Sequence, residues 1–165
     1  MVIFRRIEDA DWPYIEKIEE EVYVPSLGEE LVVLQSKYLA SPATCLVAVE
    51  ESEELAGYCL AYPLDACTVP ALNSQTKLGG SVERGNIFIH DLAISAKYQG
   101  RGLGAELFAK LCRLIREQGF SSITLVAVQE GPKFWHKLGF TPHSELVADI
   151  KEYGVGAQFM VRNIV

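Results

Sequence analysis

The sequence predicts a three-layer α/β (α+β) domain with a central mixed, mostly antiparallel sheet. Runs typical of strands alternate with segments of helical periodicity along the whole chain. One run, 87–94, is nearly all apolar, which indicates a strand buried on both faces. With 165 residues the chain has the length of a single domain, which we expect to span residues 1–165.

The first half of the chain predicts three strands and two helices. Asp9 or Asp11 can cap the first helix, and Pro13 suits its first turn. Buried positions recur at helical spacing in both helices, at Ile15, Ile18 and Val22 in the first and at Leu31, Leu34 and Tyr38 in the second. The expected elements are strands at 2–7, 45–49 and 55–62 (ended by Pro63) and a second helix at 29–39.

The second half predicts a long amphipathic helix after the strand at 87–94. Gly119 is a suitable end for this helix, with Phe120 packed back on its last turn. Its apolar positions share one face, namely Leu103, Leu107, Phe108, Leu111, Leu114 and Ile115. The remaining expected elements are a strand at 123–128, a short helix at 132–138, a strand beginning at Phe140 and a last strand at 157–165.

Residues 65–85 form the least regular part of the sequence. They include Pro70, Asn73 and several glycine and serine residues, and they are long for a connection within a compact domain. We expect a flexible loop here, which is either a flap over the substrate or a disordered insertion.

Composition excludes several classes of protein. The formal net charge of −7 argues against nucleic-acid binding, which needs a basic face. No apolar run approaches the roughly 20 residues of a membrane span, so we expect no membrane partner. The N-terminus has charges within its first apolar stretch, so we expect no signal peptide and a cytoplasmic location.

The four cysteines are scattered, as are the three histidines, which predicts reduced thiols and no metal site.

Acidic residues are concentrated near the front of the chain. Two interpretations remain open, a solvated helix face or a negative potential that attracts a cationic amine. The residues are Glu8, Asp9, Asp11, Glu16, Glu19, Glu20, Glu21, Glu29 and Glu30.

Three alternate glycines, Gly100, Gly102 and Gly104, lie where the long helix begins. A helix N-terminus has unpaired backbone N–H groups and a positive dipole, and glycine lets a phosphate approach them closely. Arg101 could add a charged donor. The pattern therefore favours an anion site, most naturally for a pyrophosphate, over a tight turn that binds nothing. Ala105 follows in place of the Lys-Ser or Lys-Thr of a P-loop, and the dinucleotide pattern is matched only loosely.

The segment Gln99–Gly104 resembles the Gln/Arg-x-x-Gly-x-Gly/Ala signature of the GNAT N-acetyltransferase superfamily. His90–Ile94 is similar to that family's fourth strand, and 134–140 is similar to its later aromatic segment. The resemblance implies parallel fourth and fifth strands that splay apart, with acetyl-CoA as the cosubstrate between them. The residues that it implies for acetyl-CoA are Leu92, Ala93, Ile94, Gln99, Gly100, Arg101, Gly102, Leu103, Gly104 and Ala105.

The sequence departs from the family pattern at the usual base. Phe88 stands where many members carry a glutamate. His90 is then either the general base, acting directly or through water, or a structural buried histidine. In a regular strand Asp91 would point to the opposite face from His90, where it would orient substrate or bond locally. The resemblance implies Leu92 N–H as the oxyanion donor.

A second departure concerns the usual acid. Trp135 stands where the family has a tyrosine, and its indole N–H has no useful acidity. It forms either an aromatic wall beside the substrate or part of the core. Tyr153 is a substitute acid, whereas we expect Tyr98 to belong to the glycine turn. Alternatively, the thiolate takes its proton from the ammonium product.

The resemblance thus implies acetyl transfer from acetyl-CoA to a primary amine, by direct attack in a ternary complex. The acidic front favours a small cationic amine as partner. Two alternatives stay open, a CoA-binding regulatory or interaction domain without catalysis, and an enzyme that acetylates protein N-termini or lysines. A homodimer is compatible with the sequence.

Overall fold

The computed structural model describes residues 1–77, 85–143 and 150–164. None of the helices in these ranges is long and apolar enough to cross a membrane. The helices are α1 (Trp12–Val22), α2 (Leu31–Ala40), α3 (Leu103–Glu117) and α4 (Gly131–Lys137). The strands are β1 (Ile3–Arg6), β2 (Leu46–Val49), β3 (Leu55–Pro63), β4 (Asn86–Ile94), β5 (Ser122–Ala127), β6 (Thr141–Pro142) and β7 (Gln158–Asn163).

The strands form one mixed sheet in the order β1-β2-β3-β4-β5-β7-β6. Among the strands of the described residues, only β4 and β5 pair in parallel, and the other neighbouring pairs are antiparallel. The β4–β5 pairing runs from Asn86 opposite Ser122 to Ile89 opposite Leu125 and stops there. On its other side β4 stays paired with β3 as far as Ile94. The expected mixed sheet with splayed parallel strands is therefore confirmed.

Two apolar cores cover the two faces of the sheet, which gives the three predicted layers. On one face α3 and α4 pack through Leu107, Leu111 and Trp135, among others. On the other face α1 and α2 pack through Ile15 and Leu34. Each fully buried aliphatic side chain contributes about 1.5–3 kcal/mol, so these helices are held mainly by packing on the sheet.

Most element bounds differ from the predicted ones by one or two residues. Pro63 is the last residue of β3 instead of the residue after it. No side chain caps α1: the Asp11 carboxylate instead accepts a hydrogen bond from Glu8 N–H (2.7 Å) and forms a bidentate pair with Arg5. Asp11 thus stabilises the turn before the helix.

Residues 65–77 cross the α2 side of the molecule in a defined path. Lys37 Nζ donates to Ser74 O (2.8 Å), and Thr76 N–H donates to Ser36 Oγ (2.9 Å). At the other edge, Tyr153 Oη donates to Pro70 O. This part of the expected flexible loop is therefore fastened to its surroundings. Residues 78–84, which complete that prediction, lie outside the described residues.

The four cysteines are free thiols, as the sequence predicts. Cys45, Cys59 and Cys112 are buried, and Cys67 is exposed. Burial raises the pKa of Cys45 to about 12, so this thiol stays protonated and unreactive.

Candidate active site

The split between β4 and β5 leaves backbone groups of β4 without a strand partner. Ser95 N–H donates to Ala56 O on β3 (2.9 Å). In an antiparallel pair the backbone N–H and C=O groups of successive residues point alternately toward and away from the partner strand. The backbone groups of Ala93 therefore also point toward β3, whereas those of Leu92 and Ile94 point into the gap. The carbonyl of Ile94 accepts a hydrogen bond from Gln99 Nε2 (3.0 Å). Leu92 N–H is thus directed toward the space between the strands.

Two glycines give the turn before α3 an uncommon backbone conformation. Gly100 and Gly102 have φ values of 80° and 78°, which few other residues adopt. A Cβ added at either glycine would meet no atom within 4 Å. The first helical bond of α3 joins Glu106 N–H to Gly102 O (3.1 Å), so the N–H groups of residues 103–105 have no acceptor within the helix.

Gly104 and Arg101 have other surroundings in this turn. A Cβ at Gly104 would lie 3.1 Å from Phe134 Cζ, so this glycine allows α3 and α4 to pack closely. The exposed Arg101 lies 4.0 Å from Glu50 and stacks over the Tyr98 ring at 5.4 Å. As expected, Tyr98 belongs to the turn, where its hydroxyl donates to Glu54 (2.6 Å).

A cavity of about 430 Å³ occupies the gap between β4 and β5. β4 contributes His90, Asp91 and Leu92 to its lining. Tyr23, Trp135 and Tyr153 line it from other parts of the chain, and Gln99 connects it to the glycine turn. Hence the cavity brings together the predicted base, the predicted substrate residues and the open edge of β4.

A β-bulge at His90 changes the direction of its neighbour. In the pairing with β3, Ile89 lies opposite Ala61 and Asp91 lies opposite Leu60, so His90 has no partner residue. Ile89 and Leu92 both pack on the α3 side of the sheet. His90 and Asp91 between them project to the α1/α2 side. The expectation that they point to opposite faces is therefore wrong, because the strand is not regular at this point.

His90 is paired with a carboxylate from outside β4. Its Nε2 atom lies 2.5 Å from Oε1 of Glu29, and the two side chains are 3% and 5% exposed. Burial alone would raise the pKa of Glu29, but the hydrogen bonds from His90 and from the Asn73 N–H, together with the charge of Lys37, outweigh it and the pKa is lowered. Because an ionised carboxylate only accepts hydrogen bonds, we assign the proton to Nε2, which leaves Nδ1 as the acceptor.

Two further carboxyl groups lie close to this pair. Burial raises the pKa of Asp91 to about 6, although the Tyr58 hydroxyl donates to it (2.9 Å). Burial also raises the pKa of Glu19 to about 7, although Glu19 accepts a hydrogen bond from Glu29 N–H (2.9 Å). The charge of Glu29 adds to the rise of both pKa values, and the charge of Asp91 adds to the rise at Glu19.

The prediction of a solvated acidic face thus fails for the buried side chains of Asp11, Glu19 and Glu29 but fits the exposed acids. The exposed members are Glu8, Asp9, Glu20, Glu21 and Glu30. Two signals in the sequence could have identified the buried ones. Glu19 falls on the apolar stripe of α1, between Ile15 and Val22. Glu29 directly follows Gly28, where the chain turns into α2.

Side-chain atoms of Glu29, His90 and Asp91 lie within 4.8 Å of one another, a grouping that metal ions use. Here Glu29 and His90 are hydrogen-bonded to each other, and Asp91 accepts from Tyr58. These polar groups therefore satisfy one another without a cation.

Trp135 is part of the apolar core on the α3 side of the sheet. It is 7% exposed and contacts Phe134, Phe140 and Phe108 edge to face, at centroid distances of 4.9, 5.2 and 5.6 Å. It also lines the cavity. Tyr153 lies there too, but its hydroxyl proton is donated to Pro70 O, and burial raises its pKa far above the ordinary value.

Comparisons with known proteins agree with this geometry. The acetyltransferase (GNAT) family model matches residues 5–140. Glucosamine 6-phosphate N-acetyltransferase of Trypanosoma brucei brucei is 34% identical over 55 residues, which are 33% of this chain and 37% of that protein. Histone acetyltransferase TAP1 of Glycine max is 37% identical over 60 residues, which are 36% of this chain and 26% of that protein. This chain thus matches well under half the length of both relatives.

The fold agrees with that of a solved structure over nearly the whole chain. The PaiA N-acetyltransferase of Thermoplasma acidophilum, determined in complex with coenzyme A, superposes with a TM-score of 0.72 at 12% sequence identity, over 99% of each chain. At this identity the likeness concerns the fold. The family model itself covers more than half of the sequence, including β4, the glycine turn and α4. The chain therefore belongs to the acetyltransferase (GNAT) family.

Proposed function

We propose that this chain is an acetyl-CoA-dependent N-acetyltransferase whose acceptor is a primary amine, specifically a small cationic one. The observation that carries the proposal is that His90, which is paired with Glu29, lines a cavity beside the open edge of β4. A histidine held by a buried carboxylate is a suitable proton acceptor. The adjacent backbone edge of β4 suits the pantetheine arm of acetyl-CoA, and the glycine turn suits its pyrophosphate.

The cosubstrate binds along β4 and the N-terminus of α3. Its pyrophosphate accepts hydrogen bonds from backbone N–H groups of residues 100–105, where the helix dipole favours an anion. Its pantetheine arm pairs with the backbone groups of Leu92 and Ile94, on the edge of β4 opposite to the one bound to β3. Gln99 already binds the Ile94 carbonyl, so the arm shares or displaces that contact.

The acceptor enters on the α1/α2 side, where carboxyl groups attract its ammonium form. Glu29 and Asp91 lie nearest to His90, and Asp91 lines the cavity. The ammonium ion first loses a proton to His90 Nδ1, directly or through water. The free amine nitrogen then attacks the thioester carbonyl carbon. Leu92 N–H stabilises the oxyanion that forms, because it faces the gap.

Collapse of this intermediate breaks the bond between carbon and sulfur. The electron pair leaves with sulfur as the CoA thiolate, and the nitrogen, still carrying an extra proton, gives it to the thiolate. No protein acid is needed for this balance. The role of Tyr153 as acid is not favoured, because its proton is engaged by Pro70 O and its pKa is raised.

A protein or peptide amine is the second candidate acceptor. The observation that favours it is the 37% identity to a histone acetyltransferase over 60 residues. A CoA-binding domain without catalysis, in contrast, gives no reason for a cavity-lining histidine that is paired with a buried carboxylate.

The proposal is tested by free-thiol release from acetyl-CoA with a panel of amines, polyamines, amino acids and peptides. Calorimetry of CoA binding accompanies it. We expect CoA binding and thiol release with small cationic amines. Release with peptides alone would move the acceptor to the second candidate. CoA binding without release from any member would contradict the enzymatic proposal.

A further inference from the structure

Residues 70–76, here called the strap, bind to both sides of the candidate site. On the α2 side, Ser74 O accepts from the buried Lys37, and Thr76 N–H donates to Ser36. On the opposite side, Leu72 N–H donates to Glu152 Oε1 (2.7 Å). The strap therefore has anchors at its two ends, with Asn73 between them.

Asn73 makes a reciprocal contact with the residues that begin α2. Its backbone N–H donates to Glu29 Oε2 (2.8 Å), and its side-chain Oδ1 accepts from Glu30 N–H (2.9 Å). Its φ of 55° lies in the left-handed region, which asparagine tolerates better than most residues. An exposed side chain in an uncommon conformation thus forms two specific hydrogen bonds.

These contacts fix both oxygens of Glu29. Oε2 binds the Asn73 N–H, and Oε1 binds His90 Nε2. The backbone N–H of Glu29 is bound in turn by Glu19. A carboxylate held in this way has one orientation, so the imidazole that it contacts is also held in one orientation and one tautomer.

We propose that Asn73 is a positioning residue, which holds Glu29 against His90 and so orients the base for acetyl transfer. This inference rests on the proposed function, although the position of Glu29 can be tested without turnover. The strap then acts on the reaction through Glu29, and Asn73 itself does not touch the reacting atoms.

Asn73→Val tests the inference, because a β-branched residue is strongly disfavoured at a positive φ. Asn73→Asp is the conservative variant, since aspartate tolerates this conformation and keeps an acceptor for Glu30 N–H. Gln75→Val is the matched control, because it places the same side chain at an exposed strap position without a positive φ.

The first readout is the downfield proton resonance of His90 Nε2–H, assigned by its loss in His90→Gln. We expect Asn73→Val to weaken or abolish this resonance, and Asn73→Asp and Gln75→Val to keep it. The measurement needs no acceptor, so it stands even if no amine is acetylated. A wild-type resonance in Asn73→Val would overturn the proposal.

The second readout is kinetic. We expect Asn73→Val to lower kcat about tenfold, a part of what a general base supplies, with the KM for acetyl-CoA unchanged. In a Glu29→Gln background the same substitution should have little further effect, because the two residues act through one contact. Equal losses in both backgrounds would show a merely structural role and overturn the proposal.

Should Asn73→Val fail to fold, Glu152→Ala takes its place. Glu152 is exposed and accepts a hydrogen bond from Leu72 N–H, so its removal loosens the strap next to Asn73 without touching Glu29. We expect the same weakening of the His90 resonance. An unchanged resonance in Glu152→Ala would then overturn the proposal.

Discussion

Oε1 of Glu29 lies 2.5 Å from Nε2 of His90, although 61 residues separate them in the sequence. The first residue lies just before α2, and the second lies at the bulge of β4. This contact gives the site a carboxylate although β4 carries Phe88 at the position of the usual family glutamate. The acidic group is thus supplied by a different element of the fold.

The glycine turn gives the first prediction. Gly102→Glu should weaken CoA binding about 100-fold or more, equivalent to about 2.7 kcal/mol, because it sets a carboxylate against the pyrophosphate at the start of α3. Calorimetric titration with CoA measures this.

Gly102→Asn is the control for backbone strain, since asparagine tolerates the φ of 78° without adding charge. It should retain most of the affinity. Unchanged affinity in Gly102→Glu would remove the phosphate site from this turn.

The buried carboxyl of Glu19 predicts a pH-dependent stability. Its pKa is raised from the ordinary 4.5 to about 7, so the folded chain holds the proton more tightly than the unfolded chain. The free energy of unfolding should therefore fall as the pH rises from about 4.5 to about 7. Glu19→Gln removes this contribution and should raise the thermal midpoint at pH 8 but leave it nearly unchanged at pH 4.5.

Glu20→Gln, one position away on the exposed face of α1, serves as the matched control and should have little effect at either pH. Asp91, whose pKa is raised to about 6, keeps part of the pH dependence in both variants. An equal change of midpoint at the two pH values in Glu19→Gln would contradict the assignment.

Gly57 on β3 lies so close to β4 that no larger side chain fits there. A Cβ at this position would lie 2.5 Å from Ile94 Cδ1 and 2.7 Å from Ala93 O. Gly57→Ala should therefore destabilise the fold by about 1–3 kcal/mol, as overpacking generally does. Denaturant unfolding measures the change.

Gly131→Ala is the comparison, because its Cβ would meet neighbours only at ordinary contact distances of 3.6 Å or more. It should be close to neutral in the same experiment. A neutral Gly57→Ala would mean that the two strands separate at little cost.

The fold could be predicted because its signals are local. The apolar run of β4 and the stripe of α3 each specify an element and its buried face, and the glycine turn between them specifies a family. Element bounds then followed to within one or two residues. The segment 65–77 could not be placed, because its path depends on hydrogen bonds to distant residues such as Lys37 and Tyr153.

The site was predicted only in part. His90 and Asp91 were identified as candidates, but a bulge is set by the pairing of two strands, so their shared direction is invisible in one strand's sequence. Glu19 and Lys37 fall on the apolar stripes of their helices and are buried. A charged residue at such a position indicates a buried polar site. The partners of these two residues lie on other elements of the fold, and the hydrophobic periodicity of one element does not indicate them.

The most direct test of His90 as the general base compares thiol release by His90→Ala and by the parent chain, with acetyl-CoA and the acceptor found in the panel. His136→Ala, which removes an exposed histidine of α4, is the control. We expect His90→Ala to lower kcat about 100-fold or more, as loss of a general base does, with CoA affinity unchanged. Equal rates for His90→Ala and the parent chain across the pH range would contradict this expectation, and His90 would then be a structural histidine.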